Sequence, residues 1–294
     1  MNRREMILQR LEQYQTGAKR SLGQNFLVSD AVVNKILFAV KAEPFSDLIE
    51  VGPGLGALTE DLLGLNKKLL LIELDQRFAE FWKKRSEDLG EGSLRVIEGD
   101  ALQIDWDDLH LSLGSLFVSN LPYQISSSMV IERCLSSAGI TRMILMFQKE
   151  VAQRISARHG MGEYGLLTVM AQTFWDIATV SEAGPKDFYP PPNVASRVLV
   201  FRRRNTEWVN TLEGRATPQR FLRLVKAGFS HRRKLLKSNI LNGLYLGDKS
   251  KIVALEEVMR ELTLKDTARA EELSPAQFVR LFLELLKRGA LDHV

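Results

Sequence analysis

The apolar positions of this chain fall into short blocks punctuated by glycine, proline and acidic residues. That pattern predicts an α/β protein followed by a helical C-terminal part. Leu48–Val51, Lys68–Leu74, Ser93–Glu98, Leu116–Val118 and Met143–Phe147 each have the length and apolar content of a buried strand. Helical spacing appears between and beyond them: at Asp30–Val40 with Ser29 or Asp30 as the cap, at Ala57–Leu65, after Ser126, at Gln148–Arg158 and at Tyr164–Gln172. Thr173–Val180 and Val194–Phe201 predict two more strands, antiparallel neighbours that close the sheet. From Pro218 the spacing is helical, through Phe221-Leu222, Leu224-Val225, Leu235-Leu236 and Ile240-Leu241 to Ile252–Leu262 and Pro275–Lys287. Arg202–Arg204 and the polar stretch to Thr211 have the character of a linker. The expected domains are therefore residues 1–204, α/β, and residues 205–294, all-α.

The polar residues that end the strands carry the candidate chemistry. Right-handed crossovers bring the carboxyl ends of consecutive parallel strands to one edge of a sheet, where such folds bind ligands. The first strand runs into Gly52-Pro53-Gly54-Leu55-Gly56, whose glycines allow close backbone approach at the start of a helix. Taken alone, this spacing is equally that of a plain tight turn, and it differs from the pyrophosphate fingerprint. The second strand ends at Glu73, placed to receive a ribose diol or to stand as a surface carboxylate. The third is followed by Asp100 and Ala101. Asp100 could accept from an adenine amine, and the small Ala101 leaves room for the ring. The fourth delivers Asn120-Leu121-Pro122-Tyr123. Asn120 and the Leu121 carbonyl offer two acceptors, Pro122 stiffens the turn, and Tyr123 presents a flat face. No cation accompanies the glycine loop, which favours S-adenosylmethionine over NAD. Phe188, before Tyr189-Pro190-Pro191-Pro192, is either a second aromatic wall or a core plug.

Charge and cysteine content narrow the class. The chain has 294 residues and a net charge of +4, an ordinary soluble composition with a mild basic excess. Its placement matters more than its size. Between Glu213 and Asp248 there is no acidic residue, whereas Arg215, Arg220, Arg223, Lys226, Arg232, Arg233, Lys234 and Lys237 all fall there. A one-signed block on an ordered helical module is the footprint of a polyanion. The single cysteine, Cys134, excludes a disulfide framework, and the four histidines have no metal-ligand spacing. No apolar run reaches membrane-spanning length and no signal core opens the chain, so the expectation is a cytoplasmic protein without metal or membrane.

An ordered set of motifs resembles the small-subunit ribosomal RNA adenine dimethyltransferases, the KsgA family. The set comprises Ser21–Leu27, Ile49–Thr59, Ile72–Asp75, Gly99–Ala101, Asn120–Tyr123, Gln148–Val151, Tyr164–Leu166, Phe188–Val194 and Phe229–Lys234. The resemblance implies a class I, Rossmann-like S-adenosylmethionine-dependent methyltransferase sheet with a small helical domain. It implies dimethylation of N6 on two adjacent adenosines in the 3′-terminal hairpin of small-subunit rRNA. By position, Asn25, Leu27, Gly52, Glu73, Asp100 and Asn120 would surround the cofactor, with Gly54, Gly56 and Ala101 beside them. Asn120 and the Leu121 carbonyl would hold the target amine, and Tyr123 and Phe188 would sandwich the adenine. Arg220, Arg223, Arg232, Arg233 and Lys234 would meet RNA. After the triple proline, Asn193-Val194-Ala195-Ser196 departs from the Lys-Val-Asp-Ser of many relatives, which changes the polar groups on offer there.

The chemistry expected is direct in-line transfer from an activated donor, helped by proximity and by acceptors aimed at charge developing on nitrogen. Extruding the adenine from its stack would be offset by aromatic stacking. The expected partner is an immature small ribosomal subunit, met by a monomer. Three other readings compete. They are a resistance-type dimethyltransferase of large-subunit (23S) rRNA, which the longer helical domain with Phe229–Lys234 argues against; a mainly non-enzymatic assembly factor; and an NAD-dependent oxidoreductase, disfavoured by the glycine spacing.

Overall fold

The computed structural model describes residues 2–13, 25–90, 92–215, 218–246 and 251–291. Ser21–Gln24 of the first motif, Lys19, Arg20 and Asp248 therefore lie outside the described residues. The chain divides into two compact units, Met1–Ala152 with Ile177–Arg203 and Gln153–Asp176 with Arg204–Val294. In chain order the first 203 residues form α1 (Arg3–Gln13), β1 (Phe26–Leu27), α2 (Asp30–Lys41), β2 (Leu48–Val51), α3 (Thr59–Leu63), β3 (Leu69–Glu73), α4 (Gln76–Asp88), β4 (Leu94–Glu98), β5 (Ser115–Asn120), α5 (Ser126–Leu135), β6 (Ile140–Gln148), α6 (Lys149–Ile155), α7 (Leu166–Phe174), β7 (Trp175–Ala183), β8 (Phe188–Tyr189) and β9 (Ser196–Arg203).

Seven strands make one sheet in the order β4-β3-β2-β5-β6-β9-β7. From β4 to β6 neighbouring strands run parallel, and β9 returns antiparallel to β6. All residues of β2 and β3 are buried, as expected for strands covered on both faces, and this is why they appear in sequence as unbroken apolar runs. The chain leaves β2 toward β3 and β4, then crosses back to β5 and β6. The order of the strands thus reverses between β2 and β5, which makes that crevice the topological switch point. A separate two-stranded pairing joins β1 to β8, with Leu27 opposite Phe188 and Phe26 opposite Tyr189.

The expected strands and helices are present with ends moved by a few residues. Three helices differ more, and one of them, Glu207–Arg215, stands where part of the linker is expected, because Val209 and Leu212 bury one of its faces. The one after the glycine loop is short, Thr59–Leu63, because residues 54–58 turn instead of continuing the helix. α4 is not predicted by the apolar pattern. Its composition is strongly polar, but Phe78, Ala79 and Trp82 bury one face, and Asp75 caps it by accepting from the Arg77 N–H.

The second unit continues with α8 (Glu207–Arg215), α9 (Pro218–Gly228), α10 (Leu236–Leu244), α11 (Ile252–Glu261) and α12 (Pro275–Lys287). α12 opens with a reciprocal cap between Ser274 and Gln277 and with Pro275 in its first turn. Its core is aromatic: Phe221 meets Phe174 and Phe282 edge-on, and Phe229 stacks on Phe278. The last break falls between Arg203 and Arg204, one residue before the expected one, and the division differs from expectation in that residues 153–176 belong with the helices. The physical reason lies in their partners. The Tyr164 hydroxyl donates to the Leu273 carbonyl at 2.7 Å, Gly160 N–H donates to Glu271 O at 2.7 Å, and α7 packs on α9 and α12. A helical pattern that follows a sheet strand in sequence gives no sign of which body it joins.

Candidate active site

The strand order places the polar ends side by side along one edge, as Asp100, Glu73, the glycine loop and Asn120. Register aligns Val51 with Ile72 and Glu73 with Glu98, so the tips stand level. A cavity opens above them, lined by residues of these four tips, by Asn25–Leu27, and by Leu121–Ile125. Gly52 and Gly54 border it with φ of 65° and 52°. A β-carbon on Gly52 would stand 3.3 Å from the Pro122 ring, and one on Gly54 would stand 3.0 Å from the Phe26 ring. The positive φ and the close neighbours together restrict both positions to glycine.

Glu73 turns its carboxylate onto the loop, accepting from Gly54 N–H at 3.0 Å and from Asp75 N–H at 2.8 Å. Burial pushes its carboxyl pKa up, against the pull of those two N–H groups. Asp100 accepts from Leu102 N–H at 2.9 Å, which fixes the turn after β4. Beneath the loop lies Glu50, 2% exposed, which accepts from the Thr59 hydroxyl at 2.8 Å. Burial raises its pKa to about 8, partly offset by Thr59 and reinforced by the nearby Glu73, so the Glu50 carboxyl holds its proton at neutral pH. Asn120 donates from Nδ2 to the Asn25 carbonyl at 3.3 Å. That commits the amide's donor edge and leaves Oδ1 as an acceptor at the switch point. The Tyr123 hydroxyl is tied to Ser196 Oγ at 2.8 Å, and burial pushes its pKa up, so it stays a neutral, fixed ring.

The cavity thus gathers Asn25, Leu27, Gly52, Gly54, Glu73, Asp100, Ala101, Asn120, Leu121 and Tyr123. Two expected residues are not part of its lining. Gly56 faces away, and a β-carbon there would lie 2.7 Å from Arg10 Nη1 and 2.8 Å from the Trp82 ring. Phe188 departs from its expected place as an aromatic wall: it is 3% exposed and sits in the core cluster with Phe26 and Leu27, held there by the β1–β8 pairing. Of its two readings, the core plug is the one observed. Glu50, which heads the first strand's glycine motif, also lines the cavity, and so do residues that the strand-end pattern does not single out, among them Phe78 and Leu74. Leu74 is 57% exposed, an apolar side chain open to solvent directly after Glu73, and that position is its only signal.

The family model for ribosomal RNA adenine dimethylase matches residues 15–287. The chain belongs to the ribosomal RNA adenine dimethylase family. It is 51% identical over 279 residues to the ribosomal RNA small subunit methyltransferase A of Bdellovibrio bacteriovorus, covering 95% of this chain and 96% of that one. Among solved structures it is similar to a dimethyladenosine transferase from Plasmodium falciparum, with TM-score 0.74, 28% identity, and coverage of 90% of this chain and 98% of that one. The 23S rRNA methyltransferase ErmE shares the fold, with TM-score 0.59, 24% identity, and coverage of 89% and 99%.

Membership in the dimethylase family brings S-adenosylmethionine as cofactor and methyl transfer to ribosomal RNA as reaction class. The lining fits that cofactor. Among the described residues it contains three carboxylic acids, Glu50, Glu73 and Asp100, and no lysine, arginine or histidine. Among the described residues a pyrophosphate would meet no cation there, whereas a positively charged nucleoside meets acceptors.

The cationic block of the helical unit is smaller in three dimensions than in sequence. Arg220 donates to the Leu291 carbonyl, Arg232 pairs with Glu271 at 3.2 Å, and Lys237 pairs with Glu256 at 2.9 Å. Of the expected RNA-contacting set, Arg220 is therefore an internal strut, and Arg232 is partly neutralised. Arg223, Lys226, Arg233 and Lys234 are exposed. The loop carrying the last two is shaped by buried Asn239, whose Nδ2 donates to the carbonyls of Gly228 at 2.7 Å and His231 at 2.9 Å.

Proposed function

We propose that this chain dimethylates N6 of two adjacent adenosines in the 3′-terminal hairpin of 16S rRNA, acting as a cytoplasmic monomer on immature small subunits. The observation that carries this reading is a cavity lined, among the described residues, by three carboxylic acids and no lysine, arginine or histidine, together with Asn120, whose Nδ2 is held by the Asn25 carbonyl so that its Oδ1 serves as the acceptor. S-adenosylmethionine, when bound, supplies an activated methyl group. Asn120 Oδ1 and the Leu121 carbonyl accept the two N–H bonds of the target amine. They localise its lone pair and stabilise the positive charge that grows on nitrogen. Tyr123, fixed through Ser196, offers the stacking face for the extruded base, a contact of roughly 1–3 kcal/mol. No basic side chain is required, because the alkylated ammonium loses its proton readily to water.

Incubation with labelled S-adenosylmethionine and undermethylated, separated subunits tests this reading. Label is expected on two neighbouring adenosines of the small subunit. Label on the large subunit instead would favour the resistance-type activity, and no label on either would favour a pure assembly role.

The exposed cations support an RNA-facing role for the helical unit. Replacing Arg233 and Lys234 together by alanine is expected to weaken subunit binding. It should also flatten the dependence of log Kd on log salt by about two, one for each lost phosphate contact. Cofactor affinity should be unchanged. Arg220→Ala is expected to lower thermal stability and leave that salt slope at the parent value, because its guanidinium faces the Leu291 carbonyl.

A further inference from the structure

We infer that Arg3 and Arg10 of α1 are positioning residues that hold the glycine loop in the shape that receives the cofactor. The inference rests on reading the cavity as the cofactor site. The loop from Gly52 to Leu58 borders the cavity on one side, and on its other side three carbonyls in close succession each receive a long donor. Trp82 Nε1–H donates to Gly54 O at 2.9 Å, Arg10 Nη1 donates to Leu55 O at 2.7 Å, and Arg3 Nη1 donates to Ala57 O. Each arginine also grips the helix that follows the loop. Arg10 pairs with Glu60, and Arg3 pairs with Asp61 at 2.9 Å.

These arginines are not ordinary surface cations. Their side chains are only 10% and 19% exposed, although arginine heads usually reach water. They stand seven residues apart, two turns along one helix face, with fully buried Ile7 between them. Arg10 also lies over the Phe81 ring at 5.0 Å. Gly56 completes the arrangement. Its φ is 86°, and a β-carbon would collide with both Arg10 Nη1 and Trp82. The third glycine of the loop therefore serves the clasp behind the loop and leaves the cofactor to the other two.

Because the peptide unit is planar, fixing these carbonyls fixes three peptide planes in the loop. A loop ordered in advance binds its ligand without first being ordered by it, which raises affinity. Without the clasp the loop samples other shapes, and apparent affinity falls in proportion to the competent fraction.

The test is titration of S-adenosylmethionine by calorimetry into the full chain, with amide hydrogen exchange across residues 52–58 of the cofactor-free protein. Arg10→Met is expected to raise Kd by about tenfold, as a drop of the competent loop to roughly a tenth requires, and to speed exchange across the loop. Arg10→Lys, which keeps a donor for Leu55 O, should fall between. The turnover number at saturating cofactor should change far less than KM for the cofactor. A folded Arg10→Met protein with parental Kd and loop exchange would overturn the inference, even if it melted at lower temperature. If Arg10→Met does not fold, Arg10→Lys decides by the same two readouts. Asp100→Ala separates the two layers of argument. If it binds like the parent, the cavity is not the cofactor site. If it binds weakly while the Arg10 variants bind normally, only the clasp fails.

Discussion

Replacing Asn120 with alanine is expected to slow methyl transfer by about 10²–10³-fold, the usual loss when one preorganised polar partner of the transition state is removed. The expectation follows from how the amide is held. Its Nδ2 donates to the Asn25 carbonyl, so the side chain cannot swing its oxygen away from the switch point without losing that bond. The strand beneath is rigid: Ser119 donates to the Val51 carbonyl at 2.6 Å, tying β5 to β2 at the level of the cavity. The acceptor is thus fixed before substrate arrives, which is what makes it worth more in the transition state than in the ground state. Single-turnover rates on undermethylated subunits measure the effect, with subunit affinity measured separately. Affinity should move little, since the cations of the helical unit are untouched. Turnover near the parental rate would remove Asn120 from the chemistry.

The strand tips were legible in the sequence because their signals are local. An apolar run that stops at Glu73, at Gly99-Asp100 or at Asn120 announces its own end, and parallel crossovers then bring the ends to one edge without further information. What was illegible depended on distant partners. The reason for Gly56 lies in Arg10 and Trp82, 46 and 26 residues away in the chain and brought against it by burial. Phe188 could equally have faced a ligand or the core, and the choice was made by Leu27 pairing across from it. The cationic block looked uninterrupted because the acids that neutralise Arg232 and Lys237 lie beyond it, at Glu271 and Glu256. α4 was hidden for the opposite reason, since few apolar residues in a charged segment suffice when one of them is a fully buried tryptophan.

The largest effect on stability is expected from Glu50 and pH. The unfolded chain releases this proton near the ordinary carboxylate value of 4.5, whereas the folded protein keeps it to about 8. Between those values the native state binds more protons than the unfolded state, so stability falls as pH rises. The contribution is complete below 4.5 and gone above 8. Each tenfold difference in proton affinity between the two states is worth about 1.4 kcal/mol, so the swing is on the order of a few kcal/mol. Glu73 adds in the same direction, since its pKa is also raised. Glu50→Gln keeps an acceptor for the Thr59 hydroxyl and removes the titration. Urea unfolding of both proteins from about pH 5 to pH 9 should show the variant gaining on the parent by that amount as the solution becomes alkaline. A constant difference across the range would mean that Glu50 is ionised in the native protein. Its burial beneath the glycine loop would then need a positive partner, and among the described residues no lysine, arginine or histidine lines the cavity.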